Sequence, residues 1–319
     1  MRQEHAPSQN ALRILVGAIA VAALIGVGFI LGRSGNREVH VAPTSVSYSA
    51  ESEGHVHSVI SLPSGTILLG THDGLLRKTG NAFSKIHLHG PVRSSDFMEL
   101  AFNPVSRTLF AAGHGLGVIA SVDDGRSWRT ADQGIIGNDI HALTFNPLDP
   151  NRMFAYSVGN GVFETRDGGR TWLRIDDGPP NPGVRSFAYM PVPTAMDRSM
   201  GTSAGTNIGY LWAGTSGGLY SSFACFCGWT QDSALSNDAT LTSLVVDPTN
   251  RELIYAVSRN GLFRSSDDGR TFAKIDSRAD FVALAFAHDG ELLAATQSGA
   301  VLATRNARSW IQIASLHYR

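Results

Sequence analysis

The sequence predicts an all-β chain, a six-bladed β-propeller carried behind an N-terminal transmembrane helix. Three observations lead there. An unbroken apolar run fills Ile14–Leu31, one eight-residue pattern recurs three times, and short strand-like segments recur in groups of four between turn residues. The matching division is a short N-terminal tail over 1–12, a transmembrane signal anchor over 13–32, a linker over 33–54 and the propeller over 55–319.

The apolar run reads ILVGAIAVAALIGVGFIL, 18 residues without a charge. A spanning helix takes about 20 residues and a cleaved leader core about 7–15. No small-x-small cleavage site stands before the charged segment Gly32–Arg37, so an uncleaved anchor is expected. Arg2 and Arg13 precede the run and Arg33 and Arg37 follow it, so the positive charges do not fix orientation. The expected placement is single-pass in the membrane with the propeller extracytoplasmic, by the habit of N-terminal anchors. Residues 33–54 are polar, lack periodicity and read as a linker.

Composition sets the outer bounds. The 319 residues carry a net charge of −1, and only 17% are charged, which gives nucleic acid no electrostatic reason to bind. Glycine is abundant at 34 residues, which suits an all-β chain with many tight turns. The two cysteines, Cys225 and Cys227, are too close for an unstrained bridge and too few for a structural zinc, so they are expected as thiols.

The repeated pattern is [ST]-x-D-x-G-x-[ST]-[WF]. It stands at Ser121–Trp128, Thr165–Trp172 and Ser265–Phe272, with Asp123, Asp167 and Asp267 at its centre. Its chemistry is that of a turn: the carboxylate accepts backbone N–H groups, the glycine takes positive φ, and the aromatic residue opens the next strand and packs between blades. The pattern resembles the Asp box of the BNR-repeat propellers, a superfamily that includes sialidases, sortilin-like domains and photosystem II assembly-factor-like proteins.

Six units follow the same template, at about 56–86, 97–132, 139–176, 183–231, 240–276 and 281–313. In each, a first strand such as His141–Phe145 leads through a turn to a second, a third, the box and a fourth. Three boxes have decayed. In the fourth unit Ala224 and Phe226 replace the Asp and Gly, in the sixth Arg305 falls at the Asp position, and the first is two residues short with Phe83 as its aromatic. A segment over 191–209, rich in Ser, Gly, Thr and Pro, reads as a surface loop.

Strand direction alternates, so the boxes share one face. The turns between second and third strands share the other with the loops that enter each first strand. Seven histidines map to that second rim: His55, His57, His72, His87, His89, His114 and His141. Asp73, Asp96, Glu99 and Asp139 join them, with Arg93, Arg185 and Arg259 nearby in three blades. Imidazole beside carboxylate is the chemistry of metal binding or proton transfer. His55, His57, His72, His114 and His141 are therefore candidate ligands of a divalent metal, and Asp73 and the three arginines join them as candidate ligand-binding residues. The plain reading, solvated polar rim residues, stands beside that one.

The segments Gly54–His57 and Gly70–Gly74 resemble BNR-repeat proteins described as glycosyl-hydrolase-like. Sialidase-like enzymes of this fold join three arginines, a Tyr–Glu pair and an acidic Asp, and that set does not assemble from this sequence. The favoured function is a membrane-tethered binding or assembly module for a protein or glycan ligand. A sialidase-like glycosidase and a metal-dependent enzyme on the histidine rim are the alternatives.

Overall fold

A computed structural model describes residues 55–316 apart from 182, 193–207, 224, 225, 227, 237–239 and 279. The tail, anchor and linker over 1–54, most of the 191–209 loop, Cys225 and Cys227 lie outside the described residues. Among the described residues no helix is long and apolar enough to cross a membrane.

Residues 56–314 form six sheets, each of four antiparallel strands paired in chain order. The first strands are Val56–Ser61, Glu99–Asn103, Ile140–Asn146, Val184–Pro191, Leu241–Val246 and Phe281–Phe286. Each lies beside the next, and the sixth lies beside the first. This is the expected six-bladed ring. A channel of about 730 Å³ runs between the first strands, from Glu99, Ser186 and Ser243 to the turns at Pro147–Leu148 and Asp247–Glu252.

Burial explains the strand patterns. Second strands sit between neighbouring blades and are covered on both faces, so Ile67–Thr71, Thr108–Gly113 and Leu292–Thr296 are buried throughout. Fourth strands form the outer edge, and Leu173 and Arg174 are exposed there. The chain leaving each outer strand clasps the next blade. Ser315 bridges in parallel to Ala82 and closes blade six on blade one, while His89 bridges to Ser127 between blades one and two.

The aromatic box residues act as inter-blade wedges. Trp172 is almost wholly buried among Phe110, Val118, Ile140 and Leu143, and its Nε1–H donates to Ala131 O of the preceding blade at 2.8 Å. The box glycine lets that blade approach: a Cβ on Gly169, at φ 83°, would stand 2.8 Å from Phe110 Cε1. In the decayed fourth box Phe226 takes the place of this glycine, at φ 53°, and fills the slot itself against Phe154 at a centroid distance of 4.9 Å.

The three intact boxes are structural, as expected. Asp167 Oδ1 accepts the N–H groups of Arg170 at 3.0 Å and Thr171 at 2.9 Å, and Oδ2 accepts the Thr171 hydroxyl at 2.6 Å. Burial alone would raise the Asp167 carboxyl, but these bonds outweigh it and bring it to about 2. The sixth box departs from the sequence alignment. Arg305 does not take the Asp role; Asn306 does, accepting the N–H groups of Arg308 and Ser309 at 2.9 Å each while Thr304 supplies the capping hydroxyl. The turn is one residue shorter than its relatives. Counting back from Trp310 at constant spacing therefore lands on the wrong residue.

Candidate functional site

The rim opposite the boxes is shaped by backbone irregularities repeated from blade to blade. Pairing of the first strand with the second jumps from Val56↔Thr71 to Ser58↔Gly70, from Ile140↔Ser157 to Ala142↔Tyr156, and from Val184↔Thr215 to Ser186↔Gly214. The residues left between are His57, His141 and Arg185, at equivalent positions of blades one, three and four. A bulged residue is unpaired and its side chain is re-aimed. His72 and His114 come from the turns joining second and third strands of blades one and two. Asp96 and Asp139 stand in the loops entering blades two and three. Gly113 makes room for the Asp96 loop, since a Cβ there would fall 1.7 Å from Asp96 O.

These side chains meet. Asp96 Oδ2 accepts Nδ1–H from both His72 and His114, each at 2.8 Å. His72 Nε2 lies 3.0 Å from His57 Nε2, and His114 Nε2 lies 2.9 Å from His141 Nε2. Asp139 Oδ1 approaches His141 Nε2 to 3.2 Å and His114 Nε2 to 3.7 Å. His141 Nδ1 faces Val184 O at 3.3 Å. The result is a chain of His57, His72, Asp96, His114 and His141 across three blades, symmetric about one carboxylate oxygen. Among the described residues, two groups have ligand atoms close enough to share an ion, His57–His72–Asp96 and His114–Asp139–His141.

The electrostatics follow from position. Burial, reinforced by His72, pushes His57 down to about 3, against the pull of Asp96. Burial would raise Asp96, but the hydrogen bonds from His114 and His72 hold its carboxyl below the usual range. His114 is raised by its bond to Asp96, and His141 is lowered by burial, with the Arg185 charge opposing protonation of both. Glu99, which lines the channel, is pushed up to about 8 by burial, opposed by the Leu100 N–H. In the blade alignment Glu99 matches Ser58 and Ala142, one residue past His57 and His141.

The other sequence candidates are placed differently. His55 stacks on His72 at 5.9 Å and its Nε2 accepts from Gln297 Nε2 at 3.1 Å, so it ties blade six to the cluster and is not in either ligand group. Asp73 is exposed in its turn, with its N–H bonded to Thr71 Oγ1 at 3.2 Å. Arg93 pairs with Asp132 at 3.6 Å, and Arg259 is exposed in the second turn of blade five. The expectation that His87 and His89 share the rim is corrected. The chain leaving blade one turns along the outer edge of blade two, where the His89 N–H bonds Arg126 O at 2.9 Å and the two rings pack at 4.8 Å.

The chain is a six-bladed propeller with Asp-box turns. No family model and no curated protein matches the sequence. Solved structures do match the fold. The extracellular domain of a protein described as a hybrid two component system from B. thetaiotaomicron aligns with a TM-score of 0.53 at 16% identity, over 81% of this chain and 33% of that one. The GH74 xyloglucanase from Xanthomonas campestris aligns at 0.52 and 16% identity, over 80% of this chain and 52% of that one. A GH74 enzyme from Niastella koreensis aligns at 0.54 and 13% identity, over 82% and 53%. The chain spans between a third and about half the length of these structures. At such identities the likeness establishes fold and not activity.

Proposed function

We propose that this chain is a membrane-tethered propeller, displayed outside the cytoplasm, that binds a protein or glycan ligand on the rim carrying the His–Asp chain. The observation that carries the reading is the convergence of four imidazoles and two carboxylates, from three blades, on the face away from the structural boxes. Bulged strand ends carry His57 and His141, while turns and entry loops carry His72, His114, Asp96 and Asp139, and converging polar groups held by fixed partners are the usual makings of a recognition site. The apolar run Ile14–Leu31 supports the tether. Similarity to an extracellular domain is compatible with the placement.

The test is binding by the full-length chain in detergent, presented with an oligosaccharide panel that includes xyloglucan fragments and with membrane-protein extracts. A specific ligand lost in His57→Ala/His141→Ala, and kept in the outer-edge variant Arg129→Ala, supports the reading. Binding that survives the rim variant, or rim-dependent glycoside turnover, counts against it.

A further inference from the structure

Proton counting singles out one half of the His–Asp chain. His114 Nδ1 points at a carboxylate oxygen and His141 Nδ1 at the backbone carbonyl of Val184. Both partners are acceptors only, so both Nδ1 atoms carry the hydrogen. In neutral imidazoles the two Nε2 lone pairs then face each other at 2.9 Å. Asp139 Oδ1 brings a third electron pair at 3.2 and 3.7 Å, and it is sealed from solvent and receives no hydrogen bond among the described residues. Three electron pairs at these separations repel one another unless a proton or a cation lies between them. The His57–His72 pair differs, because Asp96 fixes only His72 and a neutral His57 can donate across the gap.

We propose that His114 Nε2, His141 Nε2 and Asp139 Oδ1 together hold a divalent transition-metal cation of the zinc class. With bonds of about 2.1 Å, ligand atoms stand roughly 3.0 Å apart around an octahedral ion and roughly 3.4 Å around a tetrahedral one. The observed separations of 2.9, 3.2 and 3.7 Å bracket both. The outer contacts match as well: histidines that bind a metal through one nitrogen donate the other N–H to a carboxylate or carbonyl, and Asp96 and Val184 O fill those roles. Asp96 is thus a positioning residue, not a ligand. Two imidazoles and one carboxylate leave coordination positions open to water or to an oxygen of a bound molecule. This site stands apart from the ligand-binding reading, since the propeller can hold a cation whether or not a protein or glycan docks over it.

The experiment uses the purified full-length chain, stripped with chelator, titrated with Zn²⁺ and measured for bound metal after gel filtration, with Co²⁺ as a spectroscopic substitute. The expected result is one equivalent per chain, cobalt d–d bands of nitrogen–oxygen ligation, and no displacement by excess Mg²⁺. Asp139→Asn and His141→Gln lose the metal, Asp96→Asn weakens it by about 10–100-fold, and His87→Gln/His89→Gln keeps it. Circular dichroism checks that each variant is folded, and the wild-type cobalt spectrum stands whether they fold or not. The proposal is overturned if the wild-type chain takes up no stoichiometric Zn²⁺, Fe²⁺ or Mn²⁺. It is equally overturned if folded Asp139→Asn and His141→Gln bind metal as the wild type does.

Discussion

Glu99→Gln converts the channel carboxyl into a neutral amide of the same shape and keeps an oxygen for the Leu100 N–H, which Glu99 Oε1 now accepts at 3.1 Å. Burial raises the Glu99 carboxyl from 4.5 to about 8. The folded protein therefore holds this proton more tightly than the unfolded chain does. The stability this confers is fully present below pH 4.5 and is lost as pH climbs through about 8. At ~1.4 kcal/mol per pH unit the span has a ceiling of ~5 kcal/mol. Water in the channel lumen solvates the ionised form, so a loss on the order of 2 kcal/mol is expected between pH 5 and pH 9. The assay is guanidinium unfolding of wild type and Glu99→Gln in parallel across that range, where every other titrating group cancels. The variant should match wild type at pH 5 and exceed it by ~2 kcal/mol at pH 9. Parallel profiles at every pH would refute the enclosed position of this carboxyl.

Three further outcomes test the packing. Trp172→Ala should cost ~3–5 kcal/mol and lower the unfolding temperature on the order of 10 °C, while Trp172→Phe, which loses chiefly the bond to Ala131 O, should cost ~1–2 kcal/mol. Differential scanning calorimetry separates the two. Phe226→Gly relieves a side chain at positive φ but empties the slot against Phe154, and a net loss of ~2–4 kcal/mol by chemical unfolding is expected. Asn306→Ala should cost ~1 kcal/mol, from two orphaned N–H groups, whereas Arg305→Ala, which removes only exposed ion pairs with Asp289 and Glu291, should stay within ~0.5 kcal/mol. The reverse order would restore Arg305 to the box position.

The legible parts of the sequence were those whose cause is local. The intact boxes announce themselves because Asp167, Gly169 and Trp172 each meet a need within one turn, and three copies of the same internal spacing mark the same turn in three blades. Asn306 was hidden because a one-residue deletion leaves the flanking Ser309–Trp310 unchanged. Strand alternation alone put His57, His72, His114 and His141 on one rim. It could not show that Asp96 joins two of them, because that contact depends on bulges and entry loops of three different blades. Asp139 carried a weak signal, standing two residues before His141 at the mouth of its strand. His87 and His89 were misplaced because the path of the chain between blades is set by pairing with the neighbour's outer edge, which no periodicity records.

The most direct measurement of the central claim is a crystal structure of the purified chain at a resolution that fixes imidazole orientation. The expected result is Asp96 Oδ2 bonded to both His72 and His114, with His57 and His141 closing the two ends within about 3 Å. Asp96 turned to solvent, with the four imidazoles separated from one another, would contradict it.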